Sequence, residues 1–441
     1  MKKVYLETFG CQMNVSDSER ISTALERDGF EMTRDENAAE VVIFNTCSVR
    51  EKAEHKLYTR VGEIRSQVDR IKPMVGVMGC VAQLEGETLF KKIKGVDFVL
   101  GTRAVGRVSN AINESTRTGR TVLDVGERED NYDWTVADTH RHSPYVAFLP
   151  IIEGCNKFCT YCIVPFSRGR ERSFSAADIV SQVREQHERG VREVHLIGQN
   201  VNSYRPESDA GLEGFAGKSP FSRLLRAVAA TGMERIKFTT SFPRDFRDDL
   251  VDAIEEHENL CNWVHLPVQS GSNKVLAAMK RGHTIEKYFQ KIDRLKNSSR
   301  DIALTTDIIV GFPGETEDDF RQTVKMVEYC GFDMAYIFKY SPRPETPAFE
   351  MDDDVSPAEK TLRFLELERT QKAIQNRGLQ RYLNQVLKVL VEGSSARTDA
   401  LTGHSTCHKV VNFNGSTELL GKIVDVRITE IKANSLFGEV Q

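Results

Sequence analysis

Apolar and polar residues along the first hundred-odd positions repeat one alternation, a short apolar run followed by a segment with helical spacing. Residues 4–6 precede a helix whose start reads Ser16-x-x-Glu19, a capping box, and whose end reads Asp28-Gly29. Residues 41–44 precede a second capping box, Ser48-x-x-Glu51, which opens a helix through Glu63. Residues 75–78 lead to a helix near 84–93, and residues 98–100 to one near 105–112. This alternation predicts a parallel sheet flanked by helices, an N-terminal α/β domain over residues 1–120.

A polar, acid-rich stretch between Asp124 and His142 reads as a linker. Beyond it, strands at 145–152, 193–197, 235–239, 263–267, 303–310 and 334–340 alternate with helices near 175–188, 221–230, 246–256, 285–295 and 317–329. Six such units over residues 141–372 predict an incomplete, TIM-like (βα)6 barrel, whose active site belongs at the carboxyl ends of its strands. After Ser356-Pro357 a long charged helix runs to about Arg381. Short apolar runs at 386–391, 409–413, 422–429 and 436–440, separated by Gly, Ser and Asn turns, then predict a small oligonucleotide-binding-like β-barrel over residues 375–441.

Composition narrows the class. Hydrophobic residues make up 40% and charged residues 28% of the 441, which fits a globular chain rather than a disordered one. Glu7 and Thr8 interrupt the opening apolar residues, so no signal-peptide core is expected, and no run reaches the length of a membrane span. A net charge of −4 excludes a generic polyanion binder, so any nucleic-acid surface must be local. Nine cysteines, an odd number, without an export signal, point to cytosolic thiols kept reduced for metal binding rather than to a disulfide framework.

Two groups of cysteines carry the candidate chemistry. Cys155, Cys159 and Cys162 lie on one loop of sequence Gly-Cys-Asn-Lys-Phe-Cys-Thr-Tyr-Cys, placed after the first strand of the predicted barrel. Three thiolates on a 4Fe-4S cubane leave one iron free for a small molecule. A zinc site would want a fourth Cys or His, and residues 163–167 supply none. Cys11, Cys47 and Cys80 each follow one of the first three strands, where open parallel sheets bind their ligands. A single such cysteine is usually a small buried hydrophobe. Three at equivalent positions read as the ligands of a second cluster. Cys261, Cys330 and Cys407 share no spacing and fall outside both groups.

The first loop, with Tyr161 before its last cysteine, resembles the signature of the radical S-adenosylmethionine (SAM) superfamily. That resemblance implies that SAM binds the open iron and is cleaved by one electron to methionine and a 5′-deoxyadenosyl radical. The polar strand ends at 198–200, 239–241, 269–272 and 311–315 are similar to the superfamily's SAM-binding loops, which makes Gln199, Ser241 and Gln269 expected SAM contacts. Residues 311–315 lack the Lys-Ser/Thr of a P-loop. The C-terminal strands resemble a TRAM domain, found on RNA-modifying enzymes.

The whole chain resembles the methylthiotransferase family of radical SAM enzymes. Residues 7–14, 45–53 and 79–83 are most similar to its tRNA-acting branch. This implies methylthiolation of carbon 2 of N6-isopentenyladenosine in the tRNA anticodon stem-loop, with SAM as both methyl donor and radical source. It also implies a flavodoxin- or ferredoxin-like electron donor and a sulfur source. Arg168, Arg170 and Arg172, in the loop leaving the cysteine motif, are expected to contact RNA phosphate. The C-terminal barrel is expected to add RNA affinity and to be removable without harm to the chemistry upstream. Two positions depart from the family: Glu345, where Gly is usual, and Phe174, where Arg is common. A methylthiotransferase acting on a ribosomal-protein side chain, and an RNA-binding protein with structural metal sites, are the alternatives.

Overall fold

The computed structural model describes residues 1–49, 51–66, 72–126, 134, 136–137, 140–395 and 400–441. The chain divides into two compact units. The first comprises Met1–His142, Glu153–Asn156 and Cys162–Glu171; the second comprises Ser143–Ile152, Lys157–Tyr161 and Arg172–Gln441.

In the first unit, strands β1 (Lys3–Phe9), β2 (Glu31–Met32), β3 (Val41–Thr46), β4 (Met74–Gly79), β5 (Phe98–Leu100) and β6 (Val122–Asp124) form one sheet in the order β2-β1-β3-β4-β5-β6. Every pairing in it is parallel. Helices α1 (Gln12–Arg27), α2 (Glu51–Ser66), α3 (Cys80–Glu85), α4 (Thr88–Lys92) and α5 (Val108–Thr118) alternate with these strands along the chain. Two apolar cores surround the sheet, one centred on Phe44, Leu57, Val61 and Val77, the other on Ile21, Leu25, Phe98 and Ile112. The middle strand β3 is buried at all six residues, as a parallel strand covered on both faces must be.

Three local expectations change. Helix α1 starts at Gln12, with Cys11 as its N-cap, and the Asn14 carboxamide oxygen accepts the Cys11 backbone N–H at 3.3 Å. Ser16 and Glu19 therefore lie inside the helix, buried, rather than at its start. The helix expected over 84–93 is two short ones, because Gly86 takes φ +51° between them. Strands β2 and β6 are too short to show a sequence period. The second capping box includes residues outside those described, as does most of the linker, although Asp124 still ends β6 and binds Arg107 with both carboxylate oxygens at 2.5 and 2.9 Å.

In the second unit, β7 (Val146–Pro150) begins the barrel; the short β8 (Ile152–Glu153), α6 (Val164–Arg168), which belongs to the first unit, and β9 (Arg172–Ser173) of the second follow in sequence. Next come α7 (Ala176–Glu188), β10 (Glu193–Ile197), α8 (Pro220–Ala229), β11 (Arg235–Phe238), α9 (Asp248–Glu256) and β12 (Trp263–His265). The barrel ends with α10 (Asn273–Ala278), α11 (Ile285–Lys296), β13 (Ala303–Val310), α12 (Glu317–Cys330) and β14 (Met334–Lys339). Strands β7, β10 and β11 are neighbours, as are β12, β13 and β14, all parallel. A parallel bridge from Ile236 to Leu260 links the two halves, so the six strands follow one another in chain order, as in a partial barrel.

Helix α13 (Pro357–Leu379) leads to a closed five-stranded barrel of β15 (Val386–Ser394), β16 (Leu401–Ser405), β17 (Val410–Asn414), β18 (Ile423–Ile431) and β19 (Leu436–Val440), in the order β15-β16-β17-β19-β18. Strand β16 escapes the sequence pattern because Thr402, Gly403 and His404 break its apolar run. This small barrel is no detachable appendage. Trp263 and Ala303, the first residues of β12 and β13, share one core with Val389, Leu401, Val411 and Phe413. Arg235, at the start of β11, donates to the carbonyls of His404 and Ser405 at 2.7 and 2.5 Å. His408 lies edge-on to Trp263 and His195. The amino-terminal floor of the partial barrel is thus closed by the C-terminal domain, opposite the strand ends where barrel active sites lie.

Candidate active site

In the first unit, Cys11, Cys47 and Cys80 follow β1, β3 and β4, three adjacent strands of the sheet. Gly79 makes this possible for the third. It takes φ +92°, and a Cβ there would stand 2.4 Å from Asn45 Oδ1, so a glycine lets the strand turn straight into α3 with Cys80 as its first residue. The strand ends are tied together by amides: Asn14 Nδ2 donates to Asn45 Oδ1 at 3.2 Å, and Asn45 Nδ2 donates to Ser18 Oγ at 2.9 Å. Cys47 Sγ accepts the Val49 backbone N–H at 3.4 Å. Cys11 is exposed, whereas Cys47 and Cys80 are buried.

The three thiols are electrostatically one group. A hydrogen bond with Cys47, helped by the charge of Arg168, pushes the Cys11 thiol down to about 6. The Cys47 thiol is raised by the same bond and by burial. Burial raises Cys80 against the pull of Arg168. Soft thiolates with a cation beside them suit an iron–sulfur cluster. Among the described residues no three His, Cys, Asp or Glu side chains close on one point as a lone ion would need. A cubane binds each thiolate through a different iron and so accepts them from further apart.

Arg168 is where sequence reasoning went astray. Its side chain is 3% exposed, and Nη2 donates to Asp17, itself 3% exposed, at 2.7 Å. Nη1 lies 3.6 Å from the Glu153 carboxylate. A buried, paired guanidinium is not available to RNA phosphate; this one faces the thiols. Arg170 and Arg172 are exposed.

The loop of Cys155, Cys159 and Cys162 opens at Gly154, which takes φ +75°; a Cβ there would meet the Arg170 carbonyl oxygen at 2.2 Å. Within the first unit, Cys155 N–H donates to the Gly169 carbonyl at 3.1 Å, and Cys155 and Cys162 are half-buried. Within the second unit, Cys159 is buried, and its sulfur accepts from Arg281 Nη1 at 3.3 Å. The same nitrogen reaches the Tyr161 hydroxyl at 3.4 Å. Arg281 went unnoticed in the sequence because it lies 122 residues from Cys159, and only the fold brings the two together.

The carboxyl ends of the barrel strands hold the expected SAM contacts. Gln199 is half-buried after β10. Ser241, after β11, and Gln269, beyond β12, are buried, and Ser241 Oγ and Gln269 Oε1 are polar atoms without a hydrogen-bond partner. Buried polar atoms are almost always paired in a finished structure, so these two fit a polar cofactor. Gln269 adopts φ +81° and Thr240 φ +66°, conformations that cost non-glycine residues about 1–3 kcal/mol and gather at ligand sites. The Gln269 backbone is pinned on both sides, its N–H donating to Asp307 O and its carbonyl accepting from Ile309 N, each at 2.9 Å. Nearby on β14, Tyr336 and Phe338 are exposed.

Both departures from the family pattern have a structural reading. Glu345 takes φ +70°, the left-handed conformation that favours glycine. Phe174 is buried, and its carbonyl accepts the Tyr204 hydroxyl at 2.7 Å, so this position is core in this chain rather than a substrate contact.

Three family descriptions match the chain: Uncharacterized protein family UPF0004 over residues 3–101, the Radical SAM superfamily over 149–327, and the TRAM domain over 380–441. Among solved structures, the radical SAM methyltransferase TsrM from Kitasatospora setae, with cobalamin and a [4Fe-4S] cluster bound, aligns with a TM-score of 0.55 at 16% identity, covering 79% of this chain and 77% of that one. That likeness speaks for the fold. A curated tRNA-2-methylthio-N(6)-dimethylallyladenosine synthase from Solibacter usitatus is 43% identical over 99% of this chain and 98% of its own. One from Geobacter metallireducens is 42% identical over 100% and 98%. With full-length identity of this order to two such relatives, and a radical SAM match over residues 149–327, the chain belongs to the tRNA-2-methylthio-N(6)-dimethylallyladenosine synthase family of radical SAM enzymes.

Proposed function

We propose that this chain methylthiolates carbon 2 of N6-isopentenyladenosine next to the tRNA anticodon, giving the 2-methylthio derivative. The observation that carries the reading is Cys11, Cys47 and Cys80 on three adjacent strand ends, in a chain whose relatives along its whole length bear that synthase's name. The cofactors are SAM and two 4Fe-4S clusters, one that would be held by Cys155, Cys159 and Cys162, the other by Cys11, Cys47 and Cys80. Once bound, the first cluster supplies the electron that cleaves one SAM to the 5′-deoxyadenosyl radical, the second the sulfur, and a further SAM the methyl group.

The protein's own part is placement. Ser241 and Gln269 offer their unpartnered oxygens, and Gln199 its amide, to the polar groups of SAM. Tyr161 holds its hydroxyl to Arg281 beside Cys159. Tyr336 and Phe338 present exposed rings on which an unstacked adenine and its isopentenyl group could rest, as single-stranded RNA bases rest on aromatic side chains. Arg170 and Arg172 supply phosphate contacts. The tRNA brings its base already in a loop, where extrusion costs least. An electron donor of flavodoxin or ferredoxin type and a sulfur source act with it in the cytosol; no helix among the described residues is long and apolar enough to cross a membrane. Residues 1–120 serve as the auxiliary-cluster domain, 141–372 as the radical SAM core and 375–441 as the TRAM domain.

Anaerobic reconstitution with iron and sulfide analysis tests the reading. The wild type should bind two clusters and convert isopentenylated tRNA. The triple variant C11A/C47A/C80A should bind one, still cleave SAM and form no methylthio product; a full iron load in that variant would refute the ligand assignment.

A further inference from the structure

Arg281 occupies a tight turn, Met279-Lys280-Arg281-Gly282-His283, in which Lys280 and Gly282 both take positive φ, +54° and +66°. The turn is fastened to the cysteine loop. Thr160 N–H donates to the Met279 carbonyl at 3.2 Å, and Thr160 Oγ1 donates to Ala278 O at 2.9 Å. Arg281 is 4% exposed and its guanidinium is held on three sides: Nη2 donates to the Pro267 carbonyl at 2.5 Å, Nη1 donates toward Cys159 Sγ and the Tyr161 hydroxyl, and Cζ lies 4.3 Å from the centroid of the Phe242 ring. A surface arginine would sample many positions. This one has a single one, fixed by a carbonyl, a phenol and an aromatic face, with one nitrogen aimed at a thiol.

An N–H···S bond from a cation to a cysteine ligand favours the more negative, reduced state of an iron–sulfur cluster, and hydrogen bonds to the sulfurs are among the terms that set its potential. Burial strengthens the effect, because a charge out of water is poorly screened. Arginine suits the task better than lysine, since its fork can hold Pro267 with one nitrogen and the sulfur with the other. We propose that Arg281 is a positioning residue that hydrogen-bonds the Cys159 ligand sulfur and raises the reduction potential of the SAM-binding cluster, bringing it within reach of the electron donor. The proposal rests on the assignment of Cys159 as a ligand.

The test is an EPR-monitored redox titration of the full chain, reconstituted anaerobically in a C11A/C47A/C80A background so that one cluster gives the signal. Wild-type Arg281, R281K and R281M are compared, with iron and sulfide measured for each. The expected result is a full single-cluster iron load in R281M with a lower midpoint potential, and an intermediate midpoint in R281K. An unchanged midpoint in R281M overturns the proposal. Should R281M fail to hold the cluster, R281K decides: a cluster with a lowered midpoint supports the proposal, whereas a wild-type midpoint, or loss of the cluster in both variants, assigns Arg281 to packing and overturns it. If the background protein with Arg281 intact binds no cluster, or C159A retains it, the ligand assignment itself has failed.

Discussion

Replacing Arg235 with methionine should unfold the join between the partial barrel and the C-terminal barrel. Arg235 is 2% exposed; Nε lies 2.9 Å from the Glu193 carboxylate, and its other nitrogens serve the His404 and Ser405 carbonyls. Burial alone would raise Glu193, yet Arg235 and His195 hold its carboxyl well below the usual range. Methionine roughly keeps the volume, removes the charge, leaves the buried Glu193 carboxylate with His195 but without its guanidinium, and takes one donor from each of the His404 and Ser405 carbonyls, the latter keeping the His408 N–H. Removing one partner of a buried pair costs about 3–5 kcal/mol, or roughly two to three and a half powers of ten in the folded-to-unfolded ratio. Trp263, in the shared core, is one of two tryptophans. Urea unfolding followed by its fluorescence in a W134F background therefore reads this junction directly. The double variant E193Q/R235M should recover part of the loss, because it no longer buries a carboxylate stripped of its guanidinium. A loss below about 1 kcal/mol in R235M, or no recovery in the double variant, would refute the reasoning. By the same logic, truncation before Val386 strips Arg235 of both carbonyl acceptors and uncovers Trp263, so it should destabilise the barrel rather than merely weaken RNA binding.

Burial raises Glu19 to about 7, against the His142 N–H that it accepts. Between an unfolded value near 4.5 and that folded value, the native carboxyl keeps a proton that the unfolded chain has released, so stability falls as pH rises through this window. E19Q should flatten the dependence, matching the wild type near pH 5 and exceeding it in thermal melts near pH 8; a gain at both pH values would show that ionisation is not the cause. E345G should raise stability by about 1 kcal/mol in chemical denaturation by relieving a left-handed non-glycine residue, and a decrease would mean that the Glu345 side chain carries an interaction worth more than the strain. Neutralising Arg170 and Arg172 should weaken tRNA binding and reduce its salt slope by about one for each phosphate no longer neutralised; an unchanged slope would leave them as surface charges.

The local patterns in this sequence determined a great deal. Every barrel strand and most of its helices were legible, because each strand carries a core of apolar residues and most of the helices open on a side-chain cap such as Thr316, whose hydroxyl accepts from Asp319 N–H. The CxxxCxxC loop was legible because its ligands are neighbours in the chain. Cys11, Cys47 and Cys80 could be read because a parallel sheet repeats one geometry, strand end after strand end. What the sequence left open were properties that arise when distant segments meet. Three alternating arginines after the cysteine motif look alike as text, yet Arg170 and Arg172 face solvent while Arg168 turns inward to Asp17, 151 residues away. Whether a charge is a surface contact or a buried counter-ion depends on desolvation and on its partner, and both are set by packing. Arg281 beside Cys159 and Arg235 beneath the C-terminal barrel were hidden for the same reason: an ion pair or hydrogen bond across a hundred residues leaves no periodicity in the chain, and only the tertiary structure decides which polar groups must satisfy one another.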